Sequence, residues 1–179
     1  MLSSNRIYSR FNSRKNKVKP TPTRKLITFQ LGSEKYAIPI EKVLRILDKF
    51  TPRAALKSGR SLLKEQEQII TLLDPSILLL SSQEPSDRSY LIVCTVKSPN
   101  LSGKLRDDGE TQISENAVEY IGIPVPEVPK VLEIAEDKFG EVPEFYRQGN
   151  LSDAVEKIIN LSEEEIVFYL NLESLYASA

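Results

Sequence analysis

The side chains best suited to chemistry are few in this chain, and their setting does not suit them to it. None of its 179 residues is a histidine, so there is no imidazole base and no histidine metal ligand. The single cysteine, Cys94, lies inside the apolar run Tyr90-Leu91-Ile92-Val93-Cys94-Thr95-Val96. There a thiol is a small core side chain rather than a nucleophile. The seven glycines are scattered and compose no phosphate loop. Carboxylates come in solvated runs such as Glu163-Glu164-Glu165, which suit a turn. Acid–base work would need folding to bring two of them together. The expectation is a protein with no catalytic residue, no metal, no cofactor and no small-molecule substrate.

Charge is distributed unevenly. The net charge is −1, from 24 Lys and Arg against 25 Asp and Glu. Eight of the bases (Arg6, Arg10, Arg14, Lys15, Lys17, Lys19, Arg24 and Lys25) fall in residues 1–25, which hold no acid. The remainder carries 16 bases against 25 acids, a balance of −9. Residues 1–24 are also rich in Ser, Asn and Pro and lack apolar periodicity, which reads as a disordered basic tail. An anchor for nucleic acid or an acidic surface is the alternative function, and a transit peptide a further reading of the tail. The acidic remainder would repel phosphate, which argues against nucleic acid as a partner. No apolar run approaches the roughly 18–20 residues of a membrane helix. One cysteine makes no internal disulfide, so nothing points to secretion. A cytoplasmic protein without membrane insertion is expected.

The elements that would position any site are mostly short strands. In LITFQLGSEKYAIPI (residues 26–40) Ile27, Phe29 and Leu31 share one face. Gly32 gives the turn, and Tyr36, Ile38 and Ile40 return on one face, which is a β-hairpin. Residues 41–47 read as a helical turn leading into a strand, and 51–61 as a loop. Residues 62–63 and 68–73 are strand pieces about Lys64-Glu65-Gln66-Glu67. Asp74-Pro75 opens a short helix to about Leu80, with Asp74 as its cap. Residues 81–89 are turn-rich and form the hinge. Strands follow at 90–96 and 117–125, with 97–116 as a long exposed loop between them. Pro124 and Pro126 delete donors along one edge, so that segment must be an edge strand or a strand end. The chain closes with a hairpin, 156–161 and 166–172, about Ser162–Glu165. A helix over 151–161 is an alternative, and one helical turn follows at 173–176. Ile27, Phe29, Tyr36, Ile38, Ile70, Leu72, Ile92, Cys94, Ile121, Ile123, Phe168 and Leu170 are the expected core. The sum is an all-β, barrel-type architecture in two halves with a few short helices.

In their order these segments resemble a CheW-like domain over about residues 25–176. Leu31-Gly32, Tyr36-Ala37-Ile38-Pro39-Ile40 and Lys42-Val43-Leu44-Arg45-Ile46 match its opening. Ile70-Thr71-Leu72-Leu73-Asp74 resembles its (Ile/Val)-Pro-Val-(Ile/Val)-Asp strand, and Tyr120–Val125 its Val-Gly-(Leu/Ile)-x-Val strand. Residues 127–132 and 166–175 resemble its later strands, and Val142-Pro143-Glu144-Phe145 a connector. The resemblance implies two small SH3-like β-barrels sharing a core, a first of about 25–83 and a second of about 88–172. It also implies a non-catalytic adaptor that couples a methyl-accepting chemoreceptor to the regulatory domain of a CheA-type histidine kinase, in a chemotaxis or pilus-motility array. Ile40 and Val43 match positions in the family's receptor-contacting groove, with plain core as the equal alternative. The edge holding Ile121, Ile123, Val125 and Val128 lies where the family can meet the kinase. Gln66 and Glu67 stand where the family carries the Arg-Gly of an Asn-Leu-Arg-Gly run, whose Arg is used in docking. Arg45 stands where an acid is common. Both departures make this a divergent member.

Overall fold

A computed structural model of the chain describes residues 21–55, 59–80, 89–97, 102–105, 111–114, 118–144, 146 and 153–178, with backbone alone at 54–55, 102–105 and 111–114. The expected tail over residues 1–20 and the expected hinge at 81–88 lie outside these residues. Fourteen strands are present among them: β1 Thr23–Leu31, β2 Glu34–Pro39, β3 Val43–Asp48, β4 Ala54–Ala55, β5 Arg60–Glu65, β6 Gln68–Leu73, β7 Tyr90–Lys97, β8 Ser102–Leu105, β9 Thr111–Ser114, β10 Val118–Val125, β11 Lys130–Ala135, β12 Phe139–Gly140, β13 Val155–Asn160 and β14 Ile166–Leu170. Two short helices, α1 Pro75–Leu80 and α2 Leu172–Ser178, follow β6 and β14. Single 3-10 turns lie at Ile40–Lys42 and Glu136–Lys138.

The strands form two six-stranded sheets, β11-β1-β2-β14-β13-β12 and β3-β7-β10-β6-β5-β4. Each sheet curls around its own apolar interior. Leu26, Ala37, Ile134, Ile159, Val167 and Tyr169 cluster inside the first, and Leu63, Ile70, Leu72, Leu91 and Val93 inside the second. We call these the terminal barrel, built from the two ends of the chain, and the central barrel, built from its middle. Their outer faces meet over a third, larger core that includes Phe29, Tyr36, Ile38, Ile92, Cys94, Ile121, Ile123, Phe168, Leu172 and Leu175. All twelve expected core residues are buried. Alternation explains this: in a strand between two cores, odd positions face one and even positions the other. On β1, Leu26 enters the terminal barrel while Ile27 and Phe29 enter the shared core.

Sheet membership does not follow the expected division at residues 83–88. Residues 23–39 pair with strands from 130–170, and residues 43–73 share a sheet with strands from 90–125. The parallel pairing of β2 with β14 joins the chain's two ends, and no local pattern in the sequence signals it. The expected tail also stops short of residue 24. Thr23 and Arg24 belong to β1, pair with Ala135 and Ile134, and Arg24 bonds Glu136 at 2.9 Å.

Other expectations need correction. Of the two alternatives for Pro124 and Pro126 the strand end holds and the edge does not: β10 is a central strand that ends at Val125. Its ladder with β6 is confined to Ile121↔Thr71 and Gly122↔Leu72 and ends two residues before Pro124, while pairing with β7 continues to Val125. The prolines thus sit where the β6 side has no ladder to lose. The stretch expected as a loop between β7 and β10 carries the antiparallel pair β8–β9, and the loop at 51–61 contains β4. Residues 155–160 are strand, not helix, because they pair with β14. The cap on α1 forms as expected, with the Ser76 N–H donating to Asp74 Oδ1 at 3.0 Å.

The two sheets share one topology. In each order the successive pairings are antiparallel, antiparallel, parallel, antiparallel and antiparallel. Each parallel strand, β6 or β14, leads into a helix capped by an Asx side chain: Asp74 before α1, and Asn171, which accepts from Ser174 N–H at 3.0 Å, before α2. Matching Asp74 to Asn171 matches Thr71 to Phe168. Their parallel partners then match Ile121 to Tyr36 and Gly122 to Ala37. Antiparallel partners carry the match on to Cys94 with Phe29, Val93 with Thr28, and Arg45 with Lys130.

Candidate partner-binding surface

Nothing among the described residues resembles a catalytic centre. No group of three or more Cys, Asp or Glu could hold a metal there. Burial pushes the Cys94 thiol up to about 12, so it stays protonated and inert.

The eight sequence-derived positions separate into three groups. Ile121, Ile123 and Val125 are fully buried at 0% exposure, in the shared core on the central strand β10. They have no surface to offer a partner, which corrects their assignment as contact residues. The cause is that β10 is covered on both faces, whereas the sequence argument placed it at an edge. Ile40 and Val43 are half-buried and pack on the shared core where the chain crosses from β2 to β3. Gln66 and Glu67 are exposed at the two-residue turn of the β5–β6 hairpin, Gln66 with φ of 53°. Val128 is exposed, in the connector between β10 and β11.

Sequence reasoning missed the neighbours of Val43. Leu44 and Ile46 are 50% and 40% exposed on β3, an edge strand. The available signal was the apolar density of Val43–Leu47, which exceeds what one face of an edge strand can bury. It also missed a contact between two segments. Arg45 donates from Nη2 to Gln68 Oε1 at 3.1 Å and lies 3.4 Å from Glu65 Oε2. This links edge strand β3 to the β5–β6 hairpin and closes one mouth of the central barrel. Arg45, one of the departures noted above, thus reaches the two residues that flank the other, the Gln66-Glu67 turn.

Helix α2 borders the same corner. Leu172 and Leu175 are buried in the shared core, and Glu173 Oε1 accepts from Lys42 Nζ at 2.6 Å. Burial alone would raise the Glu173 carboxyl, but Lys42 and backbone N–H groups, that of Lys97 included, outweigh it and hold it below the usual range. At the other end of α2 the Tyr176 hydroxyl donates to Glu119, and Arg60 donates to the Tyr176 carbonyl at 2.8 Å.

Two curled β-sheets packed over a shared core, with apolar positions exposed on an edge strand, form a body suited to binding. The profile of the CheW-like domain matches residues 25–179, and the chain belongs to that family. It is similar in fold to the crystal structure of the scaffolding protein TtCheW from Thermoanaerobacter tengcongensis, with a TM-score of 0.62 at 17% identity, over 89% of this chain and 91% of that one. No curated protein sequence matches the chain.

Proposed function

We propose that the protein is a non-catalytic adaptor of a chemosensory two-component array, cytoplasmic in location, binding the regulatory domain of a CheA-type histidine kinase and a methyl-accepting chemoreceptor. The observation that carries this reading is the family match over residues 25–179 on a two-barrel body like that of a scaffolding protein. The lead contact is the strip Val43, Leu44 and Ile46 with Ile40 at its start, half-buried or exposed beside α2. The second contact is the hairpin tip with Gln66 and Glu67. Val128 belongs to a separate surface. Among the described residues, no helix is long and apolar enough to cross a membrane.

Arg45 against Glu65 gives this reading its particular form. With Gln66 in place of the docking Arg and Arg45 engaged by Glu65 and Gln68, the arginine-centred contact is lost, so binding at the hairpin tip is weaker than a bidentate Arg would give. The test is calorimetric titration against the co-encoded kinase and receptor. Leu44→Asp places a charge in the apolar strip without emptying a core site and is expected to weaken the receptor about tenfold or more. The pair Gln66→Arg with Glu67→Gly alters the hairpin tip and is expected to shift affinity for the kinase instead. No heat with either partner, from folded protein at high concentration, removes the adaptor reading.

A further inference from the structure

The match between the barrels exposes two differences. At the mouths, Arg45 closes the central barrel, whereas the terminal barrel keeps a cavity of about 370 Å³ beside Lys130. Glu127 and Glu165 balance Lys35 and Lys130 around that cavity, so it selects no charge. The larger difference lies in the helices. With Asp74 matched to Asn171, Ser76 matches Glu173 and Leu79 matches Tyr176. Helix α1 is held by burial: Ser76 and Leu79 are both buried, Leu79 in the shared core. Helix α2 buries Leu172 and Leu175, but its polar side chains reach across to the central barrel. Glu173 takes Lys42, in the turn between β2 and β3, and the Lys97 N–H at the end of β7. The Tyr176 hydroxyl donates to Glu119 on β10, and the Arg60 guanidinium lies 5.4 Å over its ring. The residue of the terminal barrel that matches Glu119 is Glu34, which accepts instead from Tyr36 of its own strand.

The contacts of α2 are of a kind that opens. The side chains of Lys42 and Glu173 are 31% and 36% exposed, so water readily replaces either partner. The apolar hold is two leucines, and seven residues are too few for the helix to persist once undocked. Such an element opens before the rest of the fold does. Opening has a fixed consequence at the β2–β3 crossing. β3 pairs with β7 only from Tyr90 to Cys94. The turn Ile40–Lys42 and α2 lie against β7 as well. Lys42 is tied to α2 through Glu173, and the next residue, Val43, closes the turn by donating its N–H to the Ile40 carbonyl. Ile40 and Val43 pack on the same core that holds Leu172 and Leu175. Loss of α2 therefore removes the ion pair and two members of that core at once.

We propose that α2 is a strap that opens as one unit and that, through Glu173 and Lys42, holds the turn Ile40–Val43 in the form it presents at the start of the exposed strip. Release of the helix and loss of that form are one event. A partner that favours this form of the turn tightens the strap, and loosening the strap weakens that partner by the same factor. The coupling belongs to the chain by itself; only its use in regulating the receptor contact rests on the function proposed above.

The test is amide hydrogen exchange of the full chain without a partner, resolved by residue with NMR, so that it decides the coupling whether or not the adaptor reading stands. Four N–H groups report on the strap: Val43 on the Ile40 carbonyl, Lys97 on Glu173, Ser174 on Asn171 Oδ1 and Leu175 on the Asn171 carbonyl. They are expected to share one opening equilibrium, about tenfold or more above that of Val93 in the middle of β7. Tyr176→Phe removes only the hydroxyl bond to Glu119 and is expected to raise exchange at all four about fivefold while leaving Val93 unchanged. Glu173→Gln, at the other end of the helix, is expected to do the same. Leu175 exchanging as slowly as Val93 would overturn the proposal, because the helix would then open only with the whole fold. A response to Tyr176→Phe confined to Ser174 and Leu175 would overturn it too, as fraying of the helix alone. A Val43 rate that does not follow the other three would remove the hold on the strip.

Discussion

The terminal and central barrels share strand order, pairing sense and a capped helix, yet they solve the same packing problem with different side chains. Where the terminal barrel places Phe29 in the shared core, stacked at 5.9 Å on Tyr36, the central barrel places Cys94. Where the terminal barrel has Ala37, the central one has Gly122, and a Cβ there would lie 2.7 Å from Leu72 and 2.9 Å from Leu91. Where one mouth is bridged by Arg45, the other stays open beside Lys130. Topology sets which positions meet, and local volume and charge set whether they close. Equivalent places on the two barrels therefore differ in packing and in surface chemistry.

The comparison is most easily broken in the shared core. Phe29→Ala is expected to cost about 3–5 kcal/mol in urea unfolding, while Cys94→Ala at the matching position costs about 1 kcal/mol. Equal losses would mean that the barrels do not pack asymmetrically. Next in size is Gly122→Ala, expected to cost about 1–3 kcal/mol by overpacking Leu72 and Leu91. The existing alanine at position 37 shows that the topology itself tolerates the methyl group. The smallest effect is at the mouth. Arg45→Ala removes a half-exposed contact and is expected to lower stability by less than about 1 kcal/mol, with a difference that shrinks as salt rises. The same variant sharpens the comparison, because it should open the central mouth to apolar probes that bind only the terminal one in the parent protein.

Most of the local structure was legible in the sequence, and most of the long-range structure was not. The hairpin at residues 26–40 could be read because period-two apolarity and Gly32 are adjacent in the chain. The Asp74 cap could be read for the same reason. The parallel pairing of β2 with β14 spans about 130 residues and leaves no local mark. Pro124 and Pro126 marked a strand end correctly but could not distinguish it from an edge, because a missing donor constrains one side of a strand only where a ladder runs on that side. The exposed strip was partly legible: Val43 was singled out, while Leu44 and Ile46 required knowing that β3 is an edge. The closure by Arg45 was invisible, since nothing in the sequence places position 45 opposite position 65.

The crossing of the chain between barrels also imposes an order in time. The central barrel uses residues 43–125 without interruption, so a ribosome delivers all its strands before the terminal barrel has more than β1 and β2. Until β14 emerges, the hairpin of residues 23–39 has one unpaired edge and an uncovered apolar face, a state open to wrong partners. Closing the terminal barrel requires a loop longer than the whole central barrel, which slows that step relative to the first. Maturation thus proceeds from the middle outward, and the last event is the meeting of the two chain ends.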